Sequence, residues 1–264
     1  MPELPDVETF RRYFERHALN QPVARTSIPE PSLLQDCSSA KLQRALKDHS
    51  FKTTARRGKY LFAHFDTDRW LVLHFGMTGY LRYQDEAEGQ PDYACLILHF
   101  DNDALLAYIA QRKLGQISLT DDPDSFAREH ELGPDALALS REAFLEATGD
   151  SRRQAKSWLM DQATLSGIGN VYSDEILFQA GIHPRRHLDE LDEADRRALF
   201  DTMHEVLEAA IEAQADPERM PEDWLLPHRE DGAHCPRCGG PVEKVSAAGR
   251  TAWFCPHCQP APEA

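Results

Sequence analysis

Long hydrophobic runs are missing from this 264-residue chain. No stretch is long enough to span a bilayer, and the first residues do not form a secretory signal. A soluble, cytoplasmic protein with no membrane partner is expected. Positive charge is scarce too: 29 Lys and Arg stand against 44 Asp and Glu, a formal net charge of −15. Taken alone, that balance argues against a nucleic-acid partner. There is no internal repeat and no long low-complexity segment, so compact domains are expected. Cysteine is sparse, with six in all, and four of them are crowded near the C-terminus. In a cytosolic protein that crowding favours a metal over disulfides.

Net charge conceals distribution. Acid is concentrated in DELDEAD (189–195) and DPERMPED (216–223). Base comes in short clusters: Arg56, Arg57 and Lys59; Arg112 and Lys113; Arg152, Arg153 and Lys156; Arg185 and Arg186. Each cluster alone reads as solvated surface charge, yet together they leave room for one basic face.

Along the chain, Pro5 suits a first helical position, and Val7, Phe10, Phe14 and Ala18 recur at helical spacing. Residues 5–18 are therefore predicted to form an amphipathic helix. Residues 22–38, with three prolines, read as loop and edge strand. From 51 to 119, the runs YLFAHF, WLVLHF, YACLILHF, ALLAYIA and GQISL are short, apolar and bounded by turn residues. That pattern predicts a β-sandwich or barrel, with Cys95 a buried free thiol. Residues 121–135 read as a polar connection, and residues 140–214 as helices. The two halves differ in class, which implies at least two domains with a cleft between them.

The tail carries CPRC, sixteen residues, then CPHC. Cys235, Cys238, Cys255 and Cys258 fit a four-cysteine zinc site, and a closed thiolate sphere implies one structural Zn2+ rather than a catalytic ion. Two strand-like pieces around a small-residue turn predict a zinc-bound β-hairpin with Arg250 near its tip. There Arg250 is either an exposed turn residue or a planar fork for a phosphate. Upstream, LSGIGNVYSDEILFQAGI places Gly167 and Gly169 in a tight turn before a helix. Such a turn suits an anion at the helix N-terminus, although Asn170 could simply cap the helix.

Three ordered segments, MPELPDVE, SGIGNVYSDEILFQAGIHP and CPRCGG…GRTAWFCPHCQ, resemble the formamidopyrimidine-DNA glycosylase/endonuclease VIII family over nearly the whole chain. GKYLF, HFGMTG and ELGP resemble the family segments between them. The fold this implies is α+β and multidomain. It has an N-terminal β-sandwich with a leading helix (1–122), a helical domain with a helix-two-turn-helix motif (123–228) and a zinc-finger hairpin (229–264). The function it implies is base-excision repair of damaged double-stranded DNA. The enzyme would be a glycosylase and abasic-site lyase acting by β,δ-elimination on oxidised bases of the formamidopyrimidine and 8-oxoguanine type, with the damaged nucleotide flipped out. A monomer associated with the nucleoid is expected.

The resemblance also assigns roles. Loss of Met1 would give Pro2 a free secondary amine, the nucleophile for a Schiff base at the sugar C1′. An α-amine titrates near pH 8, at about 7.7–8.0, and so is substantially neutral at working pH. Glu3 would shuttle protons to the sugar ring oxygen or the leaving groups. Lys59 and Arg250 complete the catalytic set, Lys59 by contacting phosphate and supporting the lyase steps. Asn170, Arg250 and Lys156 would hold the phosphates flanking the lesion, with Tyr172 supporting them. Met77 would fill the gap left by the flipped base, and Arg112 would read the orphaned partner base.

Some positions depart from the family pattern. Asp6 stands where glutamate is usual. Ala110, Gln111, Lys113 and Leu114 replace the usual aspartate, proline, arginine and phenylalanine. The segment between Ile211 and Cys235 is short and lacks the glycine- and threonine-bearing piece that folds over an oxidised purine. Three alternatives therefore stand beside the purine glycosylase: endonuclease VIII-like specificity for oxidised pyrimidines or hydantoins, a non-catalytic damage binder, and a zinc-stapled interaction protein unrelated to DNA.

Overall fold

A computed structural model describes residues 1–247 and 249–261. Ala248 in the expected hairpin turn and residues 262–264 of the expected third domain lie outside them. The chain divides into two compact units, Met1–His130 and Glu131–Ala264.

In the first unit, helix α1 (Leu4–Ala18) carries Pro5 in its first turn and buries Val7, Phe14 and Ala18. Strand β1 (Val23–Ser27) follows, then helix α2 (Ser39–Leu46), which the sequence reading passed over. Its signals are modest: a Ser38 cap accepting from the Lys41 amide, and Leu42 and Leu46 on one face. Strands β2 (Phe51–Arg57), β3 (Tyr60–Phe65), β4 (Arg69–His74), β5 (Gly79–Asp85), β6 (Ala94–Phe100), β7 (Ala104–Ala110) and β8 (Gln116–Thr120) complete two four-stranded sheets. Their orders are β1-β6-β7-β5 and β2-β3-β4-β8, and every pairing is antiparallel. This is the expected sandwich. Leu61, Ala63, Phe65, Leu71, Leu73 and Ile117 from one sheet share a core with Leu96, Leu98, Leu106 and Tyr108 from the other.

Several strands are apolar without alternation because both of their faces are covered. In β6 and β7 the intervening residues Ala94, Ile97, Leu105, Ala107 and Ile109 form a second buried cluster. In β3 and β4, Phe62 and Val72 pack against Phe126. Phe126 belongs to α3 (Pro123–Glu129), a helix inside the stretch expected to be a polar connection. Asp122 accepts from the amides of Asp124 and Ser125, and Pro123 occupies the first turn, so the start signal is written in the sequence. The expected division after residue 122 falls before α3, whereas the compact units divide after His130.

The second unit contains α4 (Arg141–Gly149), α5 (Ala155–Met160), α6 (Asn170–Gln179) and α7 (Glu193–Glu212). Strands β9 (Glu243–Ala247) and β10 (Arg250–Phe254) pair antiparallel as the expected hairpin, with Arg250 opposite Ala247. Helix α6 is enclosed along most of its length: Tyr172 through Phe178 are all buried. Two carboxylates, Asp174 and Glu175, are therefore enclosed, and each must be matched by donors. Glu175 accepts from the amides of Leu225 and Leu226 and from Gln179, so the short segment after α7 is tied to α6. Burial pushes the Glu175 carboxyl up to about 7 against the pull of those donors.

Candidate nucleic-acid and catalytic site

In the first unit, the chemistry-bearing residues gather where α1 begins and where the strands turn. Glu3 stands at the N-cap of α1 and is 1% exposed. Its amide donates to Asp6 Oδ2 at 2.9 Å. Asp6, the shortened acid, thus fixes the backbone beside Pro2. Burial raises the Asp6 carboxyl to about 6, assisted by the charge of Glu3 and opposed by the hydrogen bond from the Glu3 amide. Helix α1 also sets Phe10 against Phe75 with the rings tilted and their centroids 4.6 Å apart, and Phe75 meets Tyr108 edge-on at 5.3 Å.

That aromatic chain supports two loops. Gly76 packs so closely that a Cβ there would lie 2.5 Å from the Leu114 carbonyl carbon, and its φ of +58° suits glycine. Gly115 lies against the Tyr108 hydroxyl, which donates to the His74 carbonyl at 3.1 Å. The Arg112 amide donates to Thr78 Oγ1 at 3.3 Å. The loops carrying Met77 and Arg112 are therefore brought together. Met77 is 41% and Leu114 53% exposed, apolar side chains held out of the core. Arg112 is exposed as well.

Lys59 sits in the turn between β2 and β3 and is 7% exposed rather than a loose edge lysine. Across the register, its neighbour Tyr60 pairs with His74. Burial, helped by the positive charge of Lys59, pushes His74 down to about 4. His74 is thus neutral, and its Nδ1 accepts from the Gly76 amide at 3.4 Å.

In the second unit, Gln162 clamps the glycine turn. Its Nε2 donates to the Ile168 carbonyl at 2.7 Å, and its Oε1 accepts from the Gly167 amide at 3.1 Å. Gly167 has a φ of +117°, a conformation open to glycine. Gly169 is the N-cap, so Asn170 does not cap the helix. Its Nδ2 instead donates to the Thr251 carbonyl at 3.2 Å, next to Arg250, which is exposed. Tyr172 is buried behind Asn170.

Lys156, expected at a phosphate, lies inside the second unit. Its side chain is fully enclosed, and Nζ donates to Asp174 Oδ1 at 2.6 Å, Ser173 Oγ at 2.8 Å and the Asn170 carbonyl at 3.3 Å. Asp174, Arg229, His74 and Gln162 were missed in the sequence. The available signal was an acidic pair inside an otherwise apolar helix.

The four cysteine sulfurs lie within 4.8 Å of one another. Sγ–Sγ separations are 3.8 Å for Cys235–Cys258 and 3.5 Å for Cys238–Cys255. A tetrahedral ion with Zn–S bonds of about 2.3 Å requires edges of about 3.8 Å, so the cluster fits one zinc ion.

Comparison with known proteins agrees along the whole chain. Family models match in order: the formamidopyrimidine-DNA glycosylase N-terminal domain over residues 1–117, the H2TH domain of that family over 132–221, and a zinc finger found in FPG and IleRS over 234–261. A formamidopyrimidine-DNA glycosylase of Heliobacterium modesticaldum is 32% identical over 276 residues, covering 98% of this chain and all of that one. The chain belongs to the formamidopyrimidine-DNA glycosylase family. A relative in Thermomicrobium roseum is 35% identical over 291 residues, covering 98% of this chain and 99% of that one. Among solved structures, a complex between the Lactococcus lactis Fpg and an abasic site containing DNA superposes with a TM-score of 0.89 at 29% identity, covering 98% of this chain and all of that one.

Proposed function

We propose that this member of the family is a base-excision-repair DNA glycosylase and abasic-site lyase acting on damaged duplex DNA. The observation that carries the reading is the start of α1, where a buried Glu3, its amide held by Asp6, stands next to Pro2. Once Met1 is removed, the Pro2 nitrogen forms a bond to C1′ as the bond from C1′ to the base breaks. The departing base takes a proton from water, Glu3 takes the proton that the Pro2 nitrogen loses on attack and passes it to the sugar ring oxygen, the ring opens, and the iminium forms. The iminium acidifies the C2′ proton; its loss expels the 3′ phosphate, and a second elimination expels the 5′ phosphate. Lys59 lies beside neutral His74 and supplies positive charge for a phosphate during the lyase steps. Met77 and Leu114 fill the emptied stack, and Arg112 meets the unpaired base. In the second unit Asn170 and Arg250 hold phosphates, with Tyr172 and the enclosed Lys156 behind them. The zinc ion, held by Cys235, Cys238, Cys255 and Cys258, is structural and keeps the hairpin folded.

The tethered segment after α7 favours a second reading of specificity. Leu225 and Leu226 are bound to Glu175, which leaves little chain to fold over an extrahelical base. An open pocket accepts formamidopyrimidines, hydantoins or oxidised pyrimidines as readily as 8-oxoguanine. Parallel excision assays on duplexes carrying 8-oxoguanine, a formamidopyrimidine and an oxidised pyrimidine test this. Comparable rates on all three are expected. A strong preference for 8-oxoguanine opposite cytosine would remove the open-pocket reading, and no excision or strand cleavage on any duplex would leave a non-catalytic binder.

We also propose that the enzyme works as a cytoplasmic monomer on the nucleoid. Among the described residues no helix is long and apolar enough to cross a membrane.

A further inference from the structure

Asp174 is fully enclosed, yet three separate pieces of the second unit converge on its carboxylate. Lys156 of α5 donates to Oδ1 at 2.6 Å. Arg229, from the segment before the zinc site, donates to Oδ2 from Nε at 3.1 Å and from Nη2 at 2.8 Å. The Trp253 amide of β10 donates to Oδ2 at 3.2 Å. Both cations also reach the Asn170 carbonyl, at 3.3 Å each. Asn170 then closes the ring through its side-chain bond to Thr251.

Thr251 and Trp253 are alternate residues of β10, so the groups they offer α6 lie along one edge of the strand. The hairpin is thereby pinned to α6 at two points, one on each side of Ala252. Arg250 is the residue directly before the first pin. Asp174 is thus ion-paired with both Lys156 and Arg229, beside the first turn of α6. A carboxylate at position 174 thus serves two ends. It compensates enough charge for Lys156 and Arg229 to be buried, and it locks the strand bearing Arg250 to the turn bearing Asn170.

We propose that Asp174 is a positioning residue that couples Asn170 and Arg250 into a single phosphate grip. The inference rests on the reading that these two residues hold DNA phosphates. Asp174→Asn is the informative change, because its amide would point a donor at Lys156 or at Arg229. Binding is measured on a duplex carrying a tetrahydrofuran abasic analogue, with the zinc content of each variant checked, and lyase turnover is measured on a true abasic site.

The expected Kd rises by about tenfold or more while turnover at saturating DNA stays within about threefold. In an Arg250→Ala background the same change costs less than about threefold, because the grip it serves is already gone. An unchanged Kd, or an equal penalty in both backgrounds, overturns the proposal. Arg229→Gln, at a side chain that reaches the surface, is predicted to show the same non-additivity with a smaller loss and covers the case in which Asp174→Asn does not fold. Wild-type protein that binds the analogue no better than undamaged duplex would overturn the functional reading itself, a result distinct from failure of the coupling.

Discussion

At the residue scale, chemistry depends on unequal surroundings for neighbouring acids. Glu3 and Asp6 are one helical turn apart, and burial holds the Asp6 carboxyl up near 6. As pH falls through 6, Asp6 gains a proton and becomes a weaker acceptor for the Glu3 amide. Turnover should fall on that acid side. Asp6→Asn keeps a carbonyl acceptor and removes the titration, so the acid limb of its pH–rate profile should move to lower pH; an unmoved limb assigns it to another group. Glu3→Gln should lower base excision by about 10²–10⁴-fold while leaving affinity for an abasic analogue near wild type. Pro2, Glu3 and Arg250 could be nominated from the sequence because they lie in the short motifs MPELPDVE and GRTAWF. Asp174 was not, because its partners Arg229 and Trp253 stand 55 and 79 residues away along the chain.

At the element scale, periodicity captured α1, five strands at nearly their full length and the helices of the second unit. It missed α2 and α3, which are short and whose evident signals are caps rather than long apolar stripes. Strand β5 was also missed, since polar Arg82 and Gln84 interrupt its run. Two predictions belong here. Chelating the zinc, or Cys255→Ser, should release β10 from α6 and weaken binding to abasic-analogue duplex, read by titration alongside zinc content. Glu175 concerns stability. Its carboxyl is raised from 4.5 to about 7 in the fold, so its contribution is fullest below 4.5 and is lost as pH rises through 7. Glu175→Gln lacks that loss. Melting curves should therefore show the variant gaining on wild type between pH 4.5 and 7; a constant difference contradicts the assignment.

At the scale of the whole molecule, the proposed DNA chemistry must be reconciled with a net charge of −15, and on the proposed reading a few individually placed cations carry it. Binding should still weaken steeply with salt, and Arg250→Ala should reduce the slope of log K against log salt by about one. The order of strands, helices and zinc hairpin was legible from composition and spacing, and the family resemblance chose a sandwich over a barrel. Helix α3 covers Phe62 and Val72 and so packs with the strands before it, a contact between residues far apart in sequence that no local pattern displays. The central claim concerns the N-terminal amine, and it has a direct test. Protein incubated with abasic-site duplex is reduced with borohydride, and the adduct is digested and mapped by mass spectrometry. The account predicts a sugar remnant on the nitrogen of Pro2, in a peptide that has lost Met1. A remnant on Lys59, or no adduct at all, would contradict it.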